Sequence, residues 1–250
     1  MEGVAPELLQ ELVPAGVLRA AINFGNPTLA QRPADGGYPR GVSADLAQEL
    51  GRWLGVPVAF VTFDSAGKVI DAVPTGTLDV VFLASDPARA GSVLFTAPYV
   101  IIEGTYMVRE SSPLRAVADL DRPGVRIAVG RGAAYDLFLT RTLEHAELVR
   151  AETSAEAMNL FAAAGLEAAA GVRRTLQDHA TTHPGFRVMD GSFQVIEQAM
   201  GTPAGRPLAR AYLQAFVETM KASGFVQRSL ENSGQNQARV APPQASWPGF

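Results

Sequence analysis

Leu78-Asp79-Val80-Val81-Phe82-Leu83 is an apolar run broken once, by Asp79. A strand apolar at nearly every position leaves no face for water, so it belongs in a sheet covered on both sides. Upstream, Val17-Leu18-Arg19-Ala20-Ala21-Ile22 reads as a short buried strand, ended by the loop Asn23-Phe24-Gly25-Asn26-Pro27. Past a polar, Gly- and Pro-rich stretch over 31–40, Ser43 can cap a helix. Its apolar face is Leu46, Ala47, Leu50, Trp53 and Leu54, at helical spacing. Residues 58–63 form a second strand with Pro57 at its entry, and 66–72 a short helix ended near Pro74. Strand, helix, strand, helix, strand is the pattern of a parallel sheet wrapped by helices.

Downstream the pattern changes and then repeats. Residues 93–108 are too long and too β-rich for one ordinary strand. A second α/β block follows: strand 125–129, the tight turn Gly130-Arg131-Gly132, helix 133–143, strand 148–149, helix 154–164, strand 166–170, helix 172–179 and strand 186–189. After Phe193-Gln194-Val195-Ile196 the spacing predicts a long amphipathic helix with Leu208, Tyr212, Leu213, Phe216 and Met220 on its apolar stripe. Gly224 breaks it, a shorter helix covers 226–230, and the tail 235–250 reads as extended and partly ordered. The expected organisation is a first lobe over 1–104, a second over 105–194, and a return to the first over 195–250.

The chain has 250 residues, with 21 Lys+Arg against 25 Asp+Glu and a net charge of −4. That mild acidity argues against a nucleic-acid partner. With no cysteine, disulfides, thiolate metal sites and a Cys nucleophile are excluded. No apolar run reaches the roughly 18 residues of a membrane-spanning helix. The first 18 residues lack the pattern of a signal peptide, so the expectation is a cytoplasmic protein or an extracytoplasmic one whose leader has been removed.

Several stretches, in order, resemble one family. Gly41-Val42-Ser43-Ala44-Asp45-Leu46-Ala47 is similar to a signature of extracytoplasmic solute-binding proteins, nearest the branch that binds polar amino acids for ABC importers. Leu78-Asp79-Val80-Val81-Phe82, Ser85-Asp86-Pro87-Ala88-Arg89, Phe95-Thr96-Ala97-Pro98-Tyr99, Gly130-Arg131-Gly132 and the terminal Ala222-Ser223-Gly224 resemble further elements of it. The resemblance runs over about 17–230. It implies an α/β, two-lobed periplasmic-binding-protein-like fold, each lobe a mixed sheet flanked by helices, hinged at two crossing segments near 102–106 and 193–198.

The resemblance also implies site residues. Arg89 would hold a ligand carboxylate through two parallel hydrogen bonds, beside a helix start capped by Asp86 whose amides favour anions. On the bare sequence, Arg89 could equally pair with Asp86 or with a helix end. Asp86 stands where the family has Thr, and would repel an anion unless turned into the cap. Phe82 and Ala84 replace small hydroxyl residues, and Ala133 replaces the hydroxyl after the glycine turn. The family's acid for a ligand ammonium is missing after strand 166–170, where Ala168-Ala169-Ala170-Gly171 stands and Glu167 reads as an exposed residue early in the strand. The expected ligand is therefore a small organic carboxylate rather than a plain α-amino acid, with an apolar or ring portion against Phe82 and Phe24.

Asn23 and Asn26 offer both donor and acceptor to a ligand, or serve only the turn. Arg131 is either a second cation in the cleft or a solvent-facing residue, and Tyr135 either reaches the cleft or packs. Glu103 lies in an apolar β segment, as a buried acid or as a partly exposed one on an alternating strand. Glu197 and Gln198 occupy the returning crossing. His179 and His183 have metal-ligand spacing but lack a third ligand and an uninterrupted helix. No cofactor and no metal are expected. The expected partners are a small carboxylate and the membrane subunits of an ABC importer, with the protein itself a monomer. The rival from another class is a lyase resembling cyclohexadienyl dehydratases, for which Glu103 or Glu197 would be the general acid.

Overall fold

A computed structural model describes residues 4–244. The chain divides into two units. One takes in the chain up to Phe63, Lys68–Ile101 and the chain from Glu197 onward; the other takes in Asp64–Gly67 and Ile102–Ile196.

The first unit opens with helix α1 (Pro6–Leu12), which the sequence reading did not anticipate. Strand β1 (Leu18–Asn23) pairs in parallel with β2 (Val58–Phe63) on one side and with β3 (Val80–Ala84) on the other. Helices α2 (Val42–Leu54) and α3 (Ala66–Ala72) make the two crossovers. Every residue of β3 is buried, as its near-continuous apolar run requires. Asp79, just before it, is wholly buried yet satisfied: Arg19 meets it through Nε and Nη2 at 2.8 and 2.7 Å, and Arg206 Nη1 lies at 3.1 Å.

Helix α2 begins at Val42, so Ser43 is not its cap. Gly41 holds that position with φ +99°, where a Cβ would stand 2.7 Å from the Leu29 carbonyl oxygen; only glycine fits. Ser43 is instead buried in the first turn, with Oγ 3.3 Å from the Tyr99 hydroxyl.

Residues 93–109 are one continuous strand, β4 (Val93–Arg109), which carries the chain from the first unit into the second. The return is by β9 (Gln194–Pro203), of which the sequence reading found only the start. It pairs antiparallel with β3, Ala84 opposite Gln198. Helix α7 (Pro207–Ala222) buries Ala209, Leu213, Phe216, Val217 and Met220, while Leu208 is 51% exposed, so the expected stripe is rotated at its start. Helix α8 (Phe225–Asn232) packs on α2, where the Ser229 hydroxyl donates to Asp45. The tail is more ordered than expected: β10 (Arg239–Val240) pairs with Ile101 and Val100, and the buried Lys221 ammonium donates to the carbonyls of Pro98 and Pro242. The last six residues of the predicted tail lie outside the described residues.

The second unit uses the same order again. Strand β5 (Arg126–Gly130) pairs in parallel with β6 (Glu147–Ala151) and with β7 (Ala168–Val172), through crossovers α4 (Ala134–Thr142) and α5 (Ser154–Ala163). Strand β4 then pairs antiparallel with β7 and with β8 (Phe186–Val188). Its core sets Phe161 against Phe186, with Leu176 of α6 (Arg173–Thr182) beside them. Two expectations move here. Strand β7 lies two residues later than predicted, because Leu166 and Glu167 precede it. Glu167 is not a solvent-facing strand residue: it accepts from the Arg126 backbone and forms a two-pronged ion pair with its guanidinium. Among the described residues no helix is long and apolar enough to cross a membrane.

Candidate functional site

In the first unit, β1 sends its connection to β2 on one side, and β2 sends its own to β3 on the other. The carboxyl ends of β1 and β3 thus lie side by side where the strand order reverses, a position where open α/β sheets bind ligands. Continuing the register from Ala21 opposite Val81 puts Phe24 level with Ala84, and Gln198 stands opposite Ala84 on the other flank. This end of the sheet therefore collects Asn23, Phe24, Ala84, Asp86, Arg89 and Gln198.

Beyond β3, Asp86 accepts from the Ala88 amide at 2.9 Å and caps a single 3-10 turn, Pro87–Arg89. The expected helix start is thus one short turn, and the anion-binding amides of an α-helix are not on offer there. Asp86 is turned into the cap. Arg89 is only 2% exposed, and its Nη1 donates to the Ala84 carbonyl at 2.7 Å. Burial pulls the guanidinium down to about 10 against the opposing pull of the Asp86 charge. A cation this poorly hydrated gains from an anionic partner.

Phe82 and Ala84 are both buried, and Phe82 meets Tyr99 edge-on with ring centroids 6.3 Å apart. Phe82 is thus a core side chain. Burial pushes the Tyr99 hydroxyl well above its usual range, so it stays protonated. Asn23 Oδ1 accepts from the Gly25 amide at 2.9 Å, which is turn chemistry. Asn26 holds the next turn by accepting, at its backbone carbonyl, from Leu29 and Ala30, but its buried Oδ1 has no hydrogen-bond partner among the described residues. The same holds for Thr28 Oγ1 in the same loop. Phe24 lies beneath a guanidinium, with Arg32 Cζ 4.3 Å from the ring centre. Neither Thr28 nor Arg32 is marked in the sequence, because a loop without periodicity gives no sign of which residues turn inward or stack on a neighbour. Gln198 is buried and Glu197 exposed.

In the second unit, the corresponding strand ends are Gly130 of β5 and Val172 of β7. Gly132 (φ +70°) completes the turn, and a Cβ on it would come within 2.9 Å of Gly67. Asp136 fixes the turn by accepting from the Gly132 amide at 2.8 Å while pairing with Arg150. Arg131 is exposed and pairs with Glu152 at 3.2 Å. Tyr135 packs in the core with its hydroxyl 2.7 Å from Ser154 Oγ, its pKa raised chiefly by burial. Ala133 occupies the N-cap position of α4, without a capping side chain.

Glu103 is an ion-pair partner, 2.9 Å from Arg173 Nε, and is partly exposed. Arg173, the first residue of α6, also donates to the carbonyls of Met189 and Gly191. Nothing in the sequence marks that pairing across 70 residues. His179 and His183 stack with ring centres 4.1 Å apart, and among the described residues no three potential metal-binding side chains come together.

Residues 18–234 match the model of the bacterial extracellular solute-binding proteins, family 3. Among solved structures, the solute receptor for L-cysteine of Neisseria gonorrhoeae is similar at 22% identity and a TM-score of 0.78, over 92% of this chain and 93% of that one. A mutant of ArgBP from T. maritima is similar at 19% identity and a TM-score of 0.78, over 91% and 99%. The ancestral amino acid-binding protein AncCDT-1, a precursor of cyclohexadienyl dehydratase, is similar at 24% identity and a TM-score of 0.75, over 90% and 98%. No curated protein sequence matches the chain. At these identities the structural likeness is one of fold, and it is the expected α/β, periplasmic-binding-protein-like one. With the family model spanning most of its length, the chain belongs to the bacterial extracellular solute-binding proteins, family 3.

Proposed function

We propose that the protein is the binding component of an ABC importer, placed outside the cytoplasm, and that it takes a small organic carboxylate rather than a plain α-amino acid. The observation that carries this reading is Arg89: a guanidinium 2% exposed, at the carboxyl end of β3 where the strand order reverses. A carboxylate matches its planar fork with two hydrogen bonds. The departure from amino acids rests on the end of β7, which continues into Val172-Arg173 and offers no acid to a ligand ammonium. Glu103 is tied to Arg173, which disfavours it as a general acid.

A thermal-shift screen of carboxylates with and without an α-amino group tests the reading. A ligand at about one hundred times its dissociation constant adds about 2.7 kcal/mol of stability. Hits among carboxylates lacking an amino group are expected, with no turnover of prephenate or arogenate by absorbance. Hits confined to α-amino acids would overturn the ligand class and leave the family role standing.

A further inference from the structure

Arg32 is a cation of the first unit that the carboxylate contact at Arg89 does not use. It is exposed, it forms no hydrogen bond or ion pair with a described residue, and its guanidinium lies 4.3 Å above the Phe24 ring. Stacking uses only the flat face of a guanidinium. All five N–H bonds lie in its plane and stay available for a second anion. The β1–β3 register, continued past Asn23, brings Phe24 level with Ala84, and the Ala84 carbonyl is the one that accepts from Arg89. The stack and the buried arginine therefore share one end of the sheet. Asp86, the acid beside them, caps the turn by accepting from the Ala88 amide, and its charge also acts on Arg89. Between Phe24 and Arg32 in sequence, Asn26 Oδ1 and Thr28 Oγ1 are buried acceptors with no partner among the described residues, suited to a hydroxyl or N–H on the same molecule.

We infer that the site selects an organic dianion, a small dicarboxylate, with one carboxylate on Arg89 and the other on the ring-stacked Arg32. Arg32 sets specificity and Arg89 supplies the common anchor. The inference rests on the carboxylate reading of Arg89 and adds the second charge to it.

Calorimetric titration at low salt with propionate, succinate, malate and glutamate tests it, on the wild-type protein, Arg32→Gln and Arg89→Ala. Because Arg32 is exposed, Arg32→Gln is expected to fold, which an unchanged melting temperature confirms. The wild type should bind succinate or malate more tightly than propionate. Arg32→Gln should lose about tenfold for the dicarboxylates, the scale of one charged hydrogen-bond pair, and nothing for propionate. Arg89→Ala should lose both classes. Dicarboxylate binding unaffected by Arg32→Gln but abolished by Arg89→Ala would overturn the role of Arg32 and leave the carboxylate reading intact. Failure of every carboxylate on the wild type would overturn that reading, and this inference with it. Tightest binding of glutamate, lost tenfold in Arg32→Gln, would support the second cation while overturning the exclusion of amino acids.

Discussion

Two buried charges in the first unit show how differently one residue can be used. Asp79 is wholly buried and answered from both sides by Arg19 and Arg206, at 2.7 and 3.1 Å. Arg89 is nearly as buried, and its guanidinium is held down to about 10 by lost hydration. Asp79→Asn should cost about 3–5 kcal/mol in urea unfolding, because it strands two arginines partly inside the protein. Arg89→Ala should weaken carboxylate binding by about 2–5 kcal/mol by calorimetry. The charge on Arg89 has a sign consequence. Its folded pKa lies below its unfolded one, so the unfolded chain binds more protons from about 10 up to the ordinary guanidinium range, and stability from this group rises with pH there. Carboxylate affinity moves oppositely. It should hold through neutral pH and fall as pH rises through about 10, as the guanidinium loses its proton. Both residues were legible in sequence: Asp79 as a lone acid in an apolar run, Arg89 through its family motif. Their partners were not.

Among elements, the end of β7 illustrates a contact that spacing cannot supply. Arg173 joins β7 to β4 through Glu103 and to the turn before β9 through the carbonyls of Met189 and Gly191, where Thr105 Oγ1 also donates at 2.9 Å. Arg173→Met leaves these acceptors short of donors and should destabilise by about 1–3 kcal/mol in denaturant unfolding. Glu103→Gln takes the charge out of a partly exposed ion pair and should cost under about 1 kcal/mol. Equal losses for the two would show that the ion pair, not the carbonyl contacts, holds this corner. Helix α7 gives the complementary case. Helical spacing found its stripe but placed Leu208 on it, since periodicity cannot tell where packing begins along a helix.

For the molecule as a whole, acid stability is set by carboxylates that hold backbone. Asp121 accepts from the amides of Glu144, His145 and Ala146, and Asp119 from those of Arg115 and Ala116. These bonds hold both acids below their usual range, and the Arg126 guanidinium does the same for Glu167. A depressed carboxylate contributes stability above its unfolded pKa and loses it as pH falls through the folded one. The melting temperature should therefore fall steadily in acid below about pH 4, with a shallower acid slope and a lower neutral value in Asp121→Asn. An unchanged slope in that variant would remove Asp121 from the acid response.

The local elements were written in the chain. Buried strands, crossover helices and their order follow from hydrophobic period and turn residues, which act over a few residues and need no distant partner. That order was enough for an α/β fold used twice, and the motifs for the family. What depended on three-dimensional packing was the short-range contact of Arg89 with the Ala84 carbonyl and of Arg32 over Phe24, which the turns at the strand ends decide, and the pairings over long sequence distance: Asp79 with Arg206, Glu103 with Arg173, and the return of β9 beside β3. Such contacts form only once the sheet has brought distant segments level. The side chains that make them carry no periodic mark, because a loop or a strand end answers to geometry rather than to a repeating buried face.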